Sequence, residues 1–281
     1  MHLRASGGAR GLTSGDGVGQ ISLPEGGFML AEKRRAMILD IVAERGSVSV
    51  TELYRRLKVS RETIRRDITR LDADKRLRKT HGGALSIDSV EPAFAERMTV
   101  NIEGKRAIGR AAAELVPDGA SLIVDSGTTT LCLAESLATH RRLTVYTNDI
   151  HVAGRLTGRN ENRVLLLGGD LQGMEGAVFG RDATAMLTNY FADFSFVGAS
   201  AVSPHPWLMD FSREAAELRS LMLSQARTSV LLADQTKFSR TAPIKVSTLE
   251  NLNYLVTDVR PQPNIAKALK TLSAQLLVAS E

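Results

Sequence analysis

The sequence predicts two folded units in series: a small, mainly helical unit closed by a β-hairpin, then a larger α/β domain with a largely parallel sheet. Three observations carry this. Positive charge is concentrated in one stretch: Met29 to Ser86 holds 15 of the 36 Lys and Arg residues but only 8 of the 31 Asp and Glu, so the formal charge of +5 arises there and the rest of the chain is slightly acidic. The same stretch contains three amphipathic, helix-length runs with capping residues between them. From about residue 104 onward, apolar strand-like runs alternate with helix-length stretches, the order of an α/β domain.

At 281 residues, 43% apolar and 24% charged, the chain is expected to be a soluble globular protein with a core of its own. A single cysteine, Cys132, excludes an intramolecular disulfide framework, and no stretch approaches the ~20 apolar residues of a membrane helix. A reducing, cytoplasmic setting without membrane contact is therefore expected. His2, His81, His140, His151 and His205 are scattered without ligand spacing, so no metal and no cofactor is expected, and Cys132 reads as a small buried residue. Residues 1–28, rich in Gly and Ser, read as a disordered extension. The run Glu25-Gly26-Gly27-Phe28-Met29 could be the translation of a ribosome-binding sequence upstream of a true start at Met29, a hypothesis that an intact mass of the native protein tests.

Residues 29–86 are expected to form the basic unit. In its first helix Ile38, Ile41 and Val42 share a face, with Glu32, Lys33, Arg34 and Glu44 mostly outside it and Gly46 as the stop. Ser49-Val50-Thr51-Glu52 is a capping box opening a short second helix packed through Leu53 and Leu57. After a tight turn at Lys58-Val59, Ser60 caps a third helix from about Arg61 to Asp74. Ile64, Ile68 and Leu71 anchor that helix inward, which turns Glu62, Arg65, Arg66 and Thr69 outward. A major groove admits one such helix and meets its N-terminal residues first, so Ser60, Arg61, Glu62, Thr63, Arg65, Arg66 and Thr69 are the candidate base and backbone contacts on double-stranded DNA. Arg76 to Ala84 reads as a β-hairpin wing whose glycines permit a sharp reversal and whose Arg78, Lys79 and His81 would meet phosphates. Helix, turn, capped basic helix and hairpin together describe a winged helix-turn-helix. A single-stranded RNA module would display stacking aromatics, and Tyr54 is the only aromatic in this region.

Residues 30 to 85 closely resemble the DNA-binding domain of the DeoR/GlpR family of bacterial transcription regulators, through "SVSVTEL", "VSRETIRRDITRLD" and "RKTHGGAL" in the same order and spacing. Lys58 departs from the family, which usually has Gly in the turn. If that position needs a positive φ, the lysine costs about 1 kcal/mol.

Residues 87–103 are expected to link the two units, with Glu91-Pro92 at the boundary and a short helix containing Phe94. Domain 104–281 follows. Its expected strands are Ser121 to Val124, Leu143 to Tyr146, Val164 to Leu167, Phe194 to Val197, Ser229 to Ala233 and Tyr254 to Val256. Ligands of such sheets bind beyond the carboxyl ends of the strands. There "LIVDSGTTT" runs from strand into a helix start: Gly127 allows close approach, and Ser126, Thr128, Thr129 and Thr130 offer hydroxyls to an anion. It is neither a Walker loop nor a dinucleotide fingerprint. Thr147-Asn148, Gly168-Gly169, Gly198 and Asp234 follow other strands onto the same rim.

Residues 104 to 258 are similar to the family's C-terminal domain, through Lys105, "DSGTTT", "YTND", "LLLGGDL", "FADFSFVGAS", "REAAELRSLM" and "LLADQTKF". The resemblance implies a ribose-5-phosphate-isomerase-like α/β effector domain, a phosphorylated sugar or polyol as inducer, and a homo-dimer or homo-tetramer. It implies effector contacts from Lys105, Asp125, Ser126, Gly127, Thr128, Thr129, Thr130, Asn148, Gly169, Glu214 and Lys237. Arg219 stands where the family often has Lys, which leaves its part in ligand contact less secure. "WLMDFSREAAELR" and "TKFSRTAPIKV" lean towards the glycerol-3-phosphate-responsive branch, although Trp207, Met209 and Phe211 equally suit a core. A ligand-controlled repressor of a catabolic operon is the function expected. The competing reading is an isomerase-type enzyme fused to a DNA-binding module, with Asp125, Asp234 or Glu214 beside Lys237 as its base.

Overall fold

The computed structural model describes residues 30–45, 47–86, 91–172, 176–203, 208–238, 240, 242–246 and 249–279. The N-terminal extension, Gly46, His205 and Trp207 lie outside them.

Helices α1 (Ala31–Arg45), α2 (Val50–Leu57) and α3 (Arg61–Ala73) pack around Ile38, Val42, Leu53, Leu57, Ile64, Ile68 and Leu71. Each such buried side chain contributes roughly 1.5 to 3 kcal/mol. Both caps form: the Glu52 amide donates to Ser49 Oγ at 3.1 Å, and the Thr63 amide to Ser60 Oγ at 3.1 Å. Lys58 ends α2 at φ 52°, ψ 36°, the left-handed conformation that favours glycine. Arg34 does not follow its expected place outside the apolar face of α1. It is buried, and its Nη2 donates to Asp67 Oδ1 at 3.2 Å while Nε binds Oδ2. Asp67 lies on the inner side of α3 beside Ile64 and Ile68, where a carboxylate needs a cation.

The wing strands β2 (Arg78–Lys79) and β3 (Gly83–Leu85) pair antiparallel, and β1 (Ser47–Ser49) completes the sheet in the order β1-β3-β2. Neither Gly82 nor Gly83 has a positive φ, contrary to the expected use of both in the reversal. Gly83 is required for a different reason: a Cβ there would lie 2.0 Å from the carbonyl oxygen of Val48. Gly83→Ala is expected to part β1 from β3 and cost about 1 to 3 kcal/mol. Gly82→Ala, with nothing within 4 Å of the added carbon, should be neutral. Urea unfolding of the two variants checks this, and equal midpoints would refute the close-approach account.

After the short helix α4 (Phe94–Thr99) comes α5 (Ile102–Ala113), which begins two residues before the expected domain start. A seven-stranded sheet follows, built from β4 (Ser121–Val124), β5 (Thr144–Thr147), β6 (Arg163–Leu166), β9 (Ala192–Gly198), β12 (Ala226–Leu232), β14 (Leu252–Thr257) and β15 (Gln275–Val278). Its order is β15-β14-β12-β9-β4-β5-β6, with every neighbouring pair parallel. Six of these strands match the expected runs; β15, at the edge, was not foreseen. Alternate residues feed two cores. Leu122, Val124, Phe196, Val230 and Val256 face α5, α6 (Thr128–Ser136) and α7 (Ile150–Leu156), and Ile123, Val197, Leu231 and Leu255 face α8 (Arg181–Leu187), α9 (Arg213–Ser224) and α10 (Pro263–Thr271). Two small sheets complete the domain, β7 (Leu171–Gln172) with β8 (Ala177–Val178), and β10 (Ala201–Val202) with β11 (Leu208–Asp210) and β13 (Ile244–Lys245).

The strand order locates the crevice. From β4 the chain winds outward through β5 to β6, and from β9 it winds the other way through β12 and β14 to β15. The switch point lies between β4 and β9, where connections leave the sheet in opposite directions and open a cleft at the carboxyl ends. No helix among the described residues is long and apolar enough to cross a membrane.

Candidate functional site

On the DNA-binding unit, α3 presents Arg61, Glu62, Arg65, Arg66 and Thr69 as exposed residues. Arg66 shares an exposed i,i+4 pair with Glu62 at 3.6 Å, whereas Arg65 forms no ion pair with a described residue. Arg61 lies over the Tyr54 ring, 5.5 Å from its centroid, which ties the start of α3 to α2. Ser60 and Thr63 are engaged with each other, Oγ to Oγ1 at 2.9 Å, so their hydroxyls serve the cap first. The wing is laced to α3: the Lys79 amide donates to Asp72 Oδ1 at 2.8 Å and its ammonium to Thr69 Oγ1 at 2.9 Å. His81 is exposed at the hairpin turn and Arg78 half-buried.

These positions give separable expectations. Arg65→Ala or Arg66→Ala should weaken operator binding by about 1 to 3 kcal/mol where the guanidinium reads a guanine. Lys79→Ala should instead reduce the slope of log affinity against log salt by about one. Binding isotherms at two salt concentrations separate the two behaviours; equal, salt-insensitive losses for all three variants would sink the assignment of contacts.

In the second domain a cavity of about 270 Å³ opens at the switch point. Ser126 and Gly127 of the loop after β4 form one side, Asp210, Phe211, Ser212, Ala215 and Arg219 another, and Phe179 a third. The remaining wall is the interdomain segment, through Glu91, Phe94 and Arg97. Sequence reasoning did not anticipate this last contribution, because it treated residues 87–103 as a connection.

Charge at the floor is arranged around Arg219. Its Nε donates to Asp125 Oδ2 at 2.7 Å, its Nη1 contacts Asp210 Oδ2, and all three residues are buried. Asp125 Oδ2 also accepts the Gly198 amide at 3.1 Å, joining β4 to β9 across the switch point. Asp210 Oδ1 accepts the Ser212 amide at 3.0 Å. So engaged, Asp125 is a poor general base. Beside this triad the loop is preformed: the Gly127 amide donates to buried Asp149 at 3.3 Å, and Asp149 caps α7 through the His151 amide at 2.7 Å. Burial pushes the Asp149 carboxyl up from its ordinary value, while the three backbone donors oppose it.

Other residues expected around a ligand are distributed less evenly. Thr128, Thr129 and Thr130 open α6 directly behind the loop and are buried; the Thr130 hydroxyl is occupied by Gly127 O at 2.9 Å. Asn148 is buried with Nδ2 on Val178 O at 3.0 Å and no partner for Oδ1. Of the eleven expected contacts only Ser126 and Gly127 line the cavity, and three of the others are committed elsewhere. Lys105 is fully buried with its ammonium on the carbonyls of Arg97 and Val100, so it fastens α4. Gly169 lies on an exposed loop at φ 133° against Val178. Glu214 faces solvent at the start of α9, bound by Ser212 Oγ at 2.9 Å.

Lys237 is buried, and no described acid forms an ion pair with it. Burial pushes its ammonium down to about 8, against the attraction of Glu91 and Asp234. Asp234 Oδ2 has no partner in the same region, and Asn101 Nδ2 reaches Asp234 Oδ1 at 3.3 Å and Asp258 Oδ2 at 2.7 Å. Cys132 is buried, with its thiol pushed up to about 11 by desolvation, which suits packing rather than nucleophilic chemistry. No group of three or more His, Cys, Asp or Glu among the described residues could hold a metal ion.

Comparison with known proteins accounts for both units. Residues 34–90 match the DeoR-like helix-turn-helix domain and residues 100–259 the DeoR C terminal sensor domain. The glycerol-3-phosphate regulon repressor of Escherichia coli (strain K12) is 29% identical over 249 residues, covering 88% of this chain and 99% of that protein. The protein of the same name from Haemophilus influenzae is 31% identical over 248 residues, covering 88% and 96%. Among solved structures, ribose 5-phosphate isomerase A from Methanocaldococcus jannaschii is similar at a TM-score of 0.37 and 17% identity, covering 49% of this chain and 55% of its own.

Proposed function

The chain belongs to the DeoR family of DNA-binding transcription regulators, and from that premise we propose that it represses a carbohydrate or polyol catabolic operon and is released from its operator by a small phosphorylated polyol or sugar. The family and the relatives carry the names of regulators, not enzymes. One observation supports the effector class above the rest: a cavity at the switch point lined by a glycine loop at a helix start and by two arginines, Arg97 and Arg219. A volume of about 270 Å³ suits a compact ligand. Glycerol 3-phosphate is the first compound to test, given the names of the relatives. The working form is a cytoplasmic homo-dimer or homo-tetramer, since recognition helices on paired half-sites must be spaced by an assembly.

The test is binding of the purified protein to DNA from its own upstream region, with glycerol 3-phosphate and a panel of sugar phosphates added separately. Release by one compound supports both the repressor and its inducer. Specific binding that no compound relieves would remove the effector assignment and leave the DNA-binding function standing.

Lys237, outside the cavity lining but within electrostatic reach of Glu91 and Arg97 on its wall, gives this reading a pH dependence. Its ammonium is neutral above about pH 8 in the folded protein, whereas an ordinary lysine stays charged to 10.5. The folded chain therefore gains stability as pH rises through that window, because the unfolded state binds the extra proton. Anion binding follows the opposite sign, requiring the charged form. Affinity for a phosphorylated effector should fall about tenfold between pH 7.5 and 9, and Lys237→Arg should flatten the profile because guanidinium stays protonated. Calorimetry across this range decides the point; a flat wild-type profile would remove Lys237 from the site.

A further inference from the structure

The cations that line the cavity already hold carboxylates. Arg219 is shared by Asp125 and Asp210, and Arg97 Nη1 stands 3.5 Å from Glu91 Oε1. An incoming anion must therefore displace an acid or face uncompensated negative charge. The two acids of the floor are poorly placed to leave: both are buried, and each carboxylate is also fixed by a backbone amide, from Gly198 or Ser212. Glu91 differs on each count. Its side chain is 23% exposed, its pair with Arg97 is longer, and its other hold is the Ser200 hydroxyl at 3.2 Å.

We propose that Glu91 is a built-in competitor for the anionic group of the effector, holding Arg97 in the operator-binding state and giving it up when a phosphate takes its place. This rests on the reading that the cavity receives a phosphorylated ligand. Only residues 86–90 separate Glu91 from Leu85, the last residue of wing strand β3. The far end of α4 cannot move with it, because the Lys105 ammonium grips the carbonyls of Arg97 and Val100. Release of Glu91 thus unfastens the side chain just before α4, while Arg97 Nε keeps its hold on Pro92 O at 3.0 Å and α4 stays docked. Lys237 reinforces the competition: among the acids that favour its ammonium, Glu91 has the larger effect, ahead of Asp234.

The experiment compares the full-length wild type with Glu91→Gln, which keeps the shape and removes the charge. Calorimetry with inorganic phosphate and with glycerol 3-phosphate is paired with hydrogen exchange of residues 91–100. Glu91→Gln should bind inorganic phosphate about tenfold more tightly. Its exchange at the Arg97 amide, which donates to Ala93 O at 2.9 Å, should be faster than in the wild type and indifferent to phosphate, whereas the wild type should speed up on addition. Ser200→Ala, which removes one hold on Glu91 together with a 3.4 Å contact from Arg219 Nη1 and keeps the charge, should shift affinity the same way by a smaller factor. Equal or weaker phosphate binding by Glu91→Gln would overturn the proposal, as would phosphate binding to neither protein. If phosphate competes with Glu91 but no sugar or polyol phosphate releases operator, the competitor stands and the effector reading fails.

Discussion

Arg219→Met is expected to destabilise the sensor domain by about 3 to 5 kcal/mol, among the largest effects of any single substitution in this chain. The substitution keeps the aliphatic stem and removes the guanidinium, leaving Asp125 and Asp210 buried at 0% and 1% exposure without their shared cation. Breaking a buried ion pair from one side costs more than the pair is worth, because the remaining charge has lost both water and partner. Neutralising all three members together, with Asp125→Asn and Asp210→Asn added, should recover most of the loss, since amides tolerate burial beside the Gly198 and Ser212 amides better than unpaired carboxylates. Urea unfolding of the full-length protein, followed by near-ultraviolet and far-ultraviolet signals together, measures both variants. A single-variant loss below about 1 kcal/mol would show that water reaches the triad and that Arg219 is available to a ligand.

Asp67→Ala should have a comparable effect on the other unit. Arg34 would keep its charge inside a core of Ile38, Leu53, Ile64 and Leu71 with its carboxylate partner gone. Arg35 Nη1, 3.9 Å from Asp67 Oδ1, would lose its longer contact as well. A loss of about 3 kcal/mol is expected, and a helical unit of this size has little stability in reserve. Operator binding should disappear at temperatures where the sensor domain still melts cooperatively, so two transitions in calorimetry would replace a more coincident unfolding. Asp67→Ala with operator affinity intact and no early transition would contradict this.

The DNA-binding face was legible because the information is local. Ile64, Ile68 and Leu71 define the inner side of α3 by spacing alone, and Ser49 and Ser60 are caps recognisable from the two or three residues that follow. The strands of the parallel sheet announce themselves as short apolar runs buried on both faces. Edge strands β6 and β15 are equally exposed, yet only β6 was foreseen, so exposure does not account for the strand that was missed. What spacing could not reveal is pairing at a distance. Asp67 on the inner side of α3 signals a buried cation, but nothing near it in sequence says that the cation is Arg34. Arg219 and Lys105 invited roles as ligand contacts from their family positions, and only the fold shows one bound by two carboxylates and the other by two carbonyls. Glu91 and Arg97 were hidden for the converse reason: a Pro-containing stretch between two domains looks like a tether until its helix is seen lying on the cavity.

The docking of α4 bears on how such proteins can be recombined. The expected linker ends at residue 103, yet a crossover there would part α4 from the Lys105 that holds it and from the Ser200 that holds Glu91. A chimera inheriting α4 from one parent and the remaining sensor from another would carry mismatched halves of one pocket wall. Exchanges of DNA-binding specificity between relatives are therefore viable only upstream of Glu91, where the reader can be swapped and the sensor travels with its own latch.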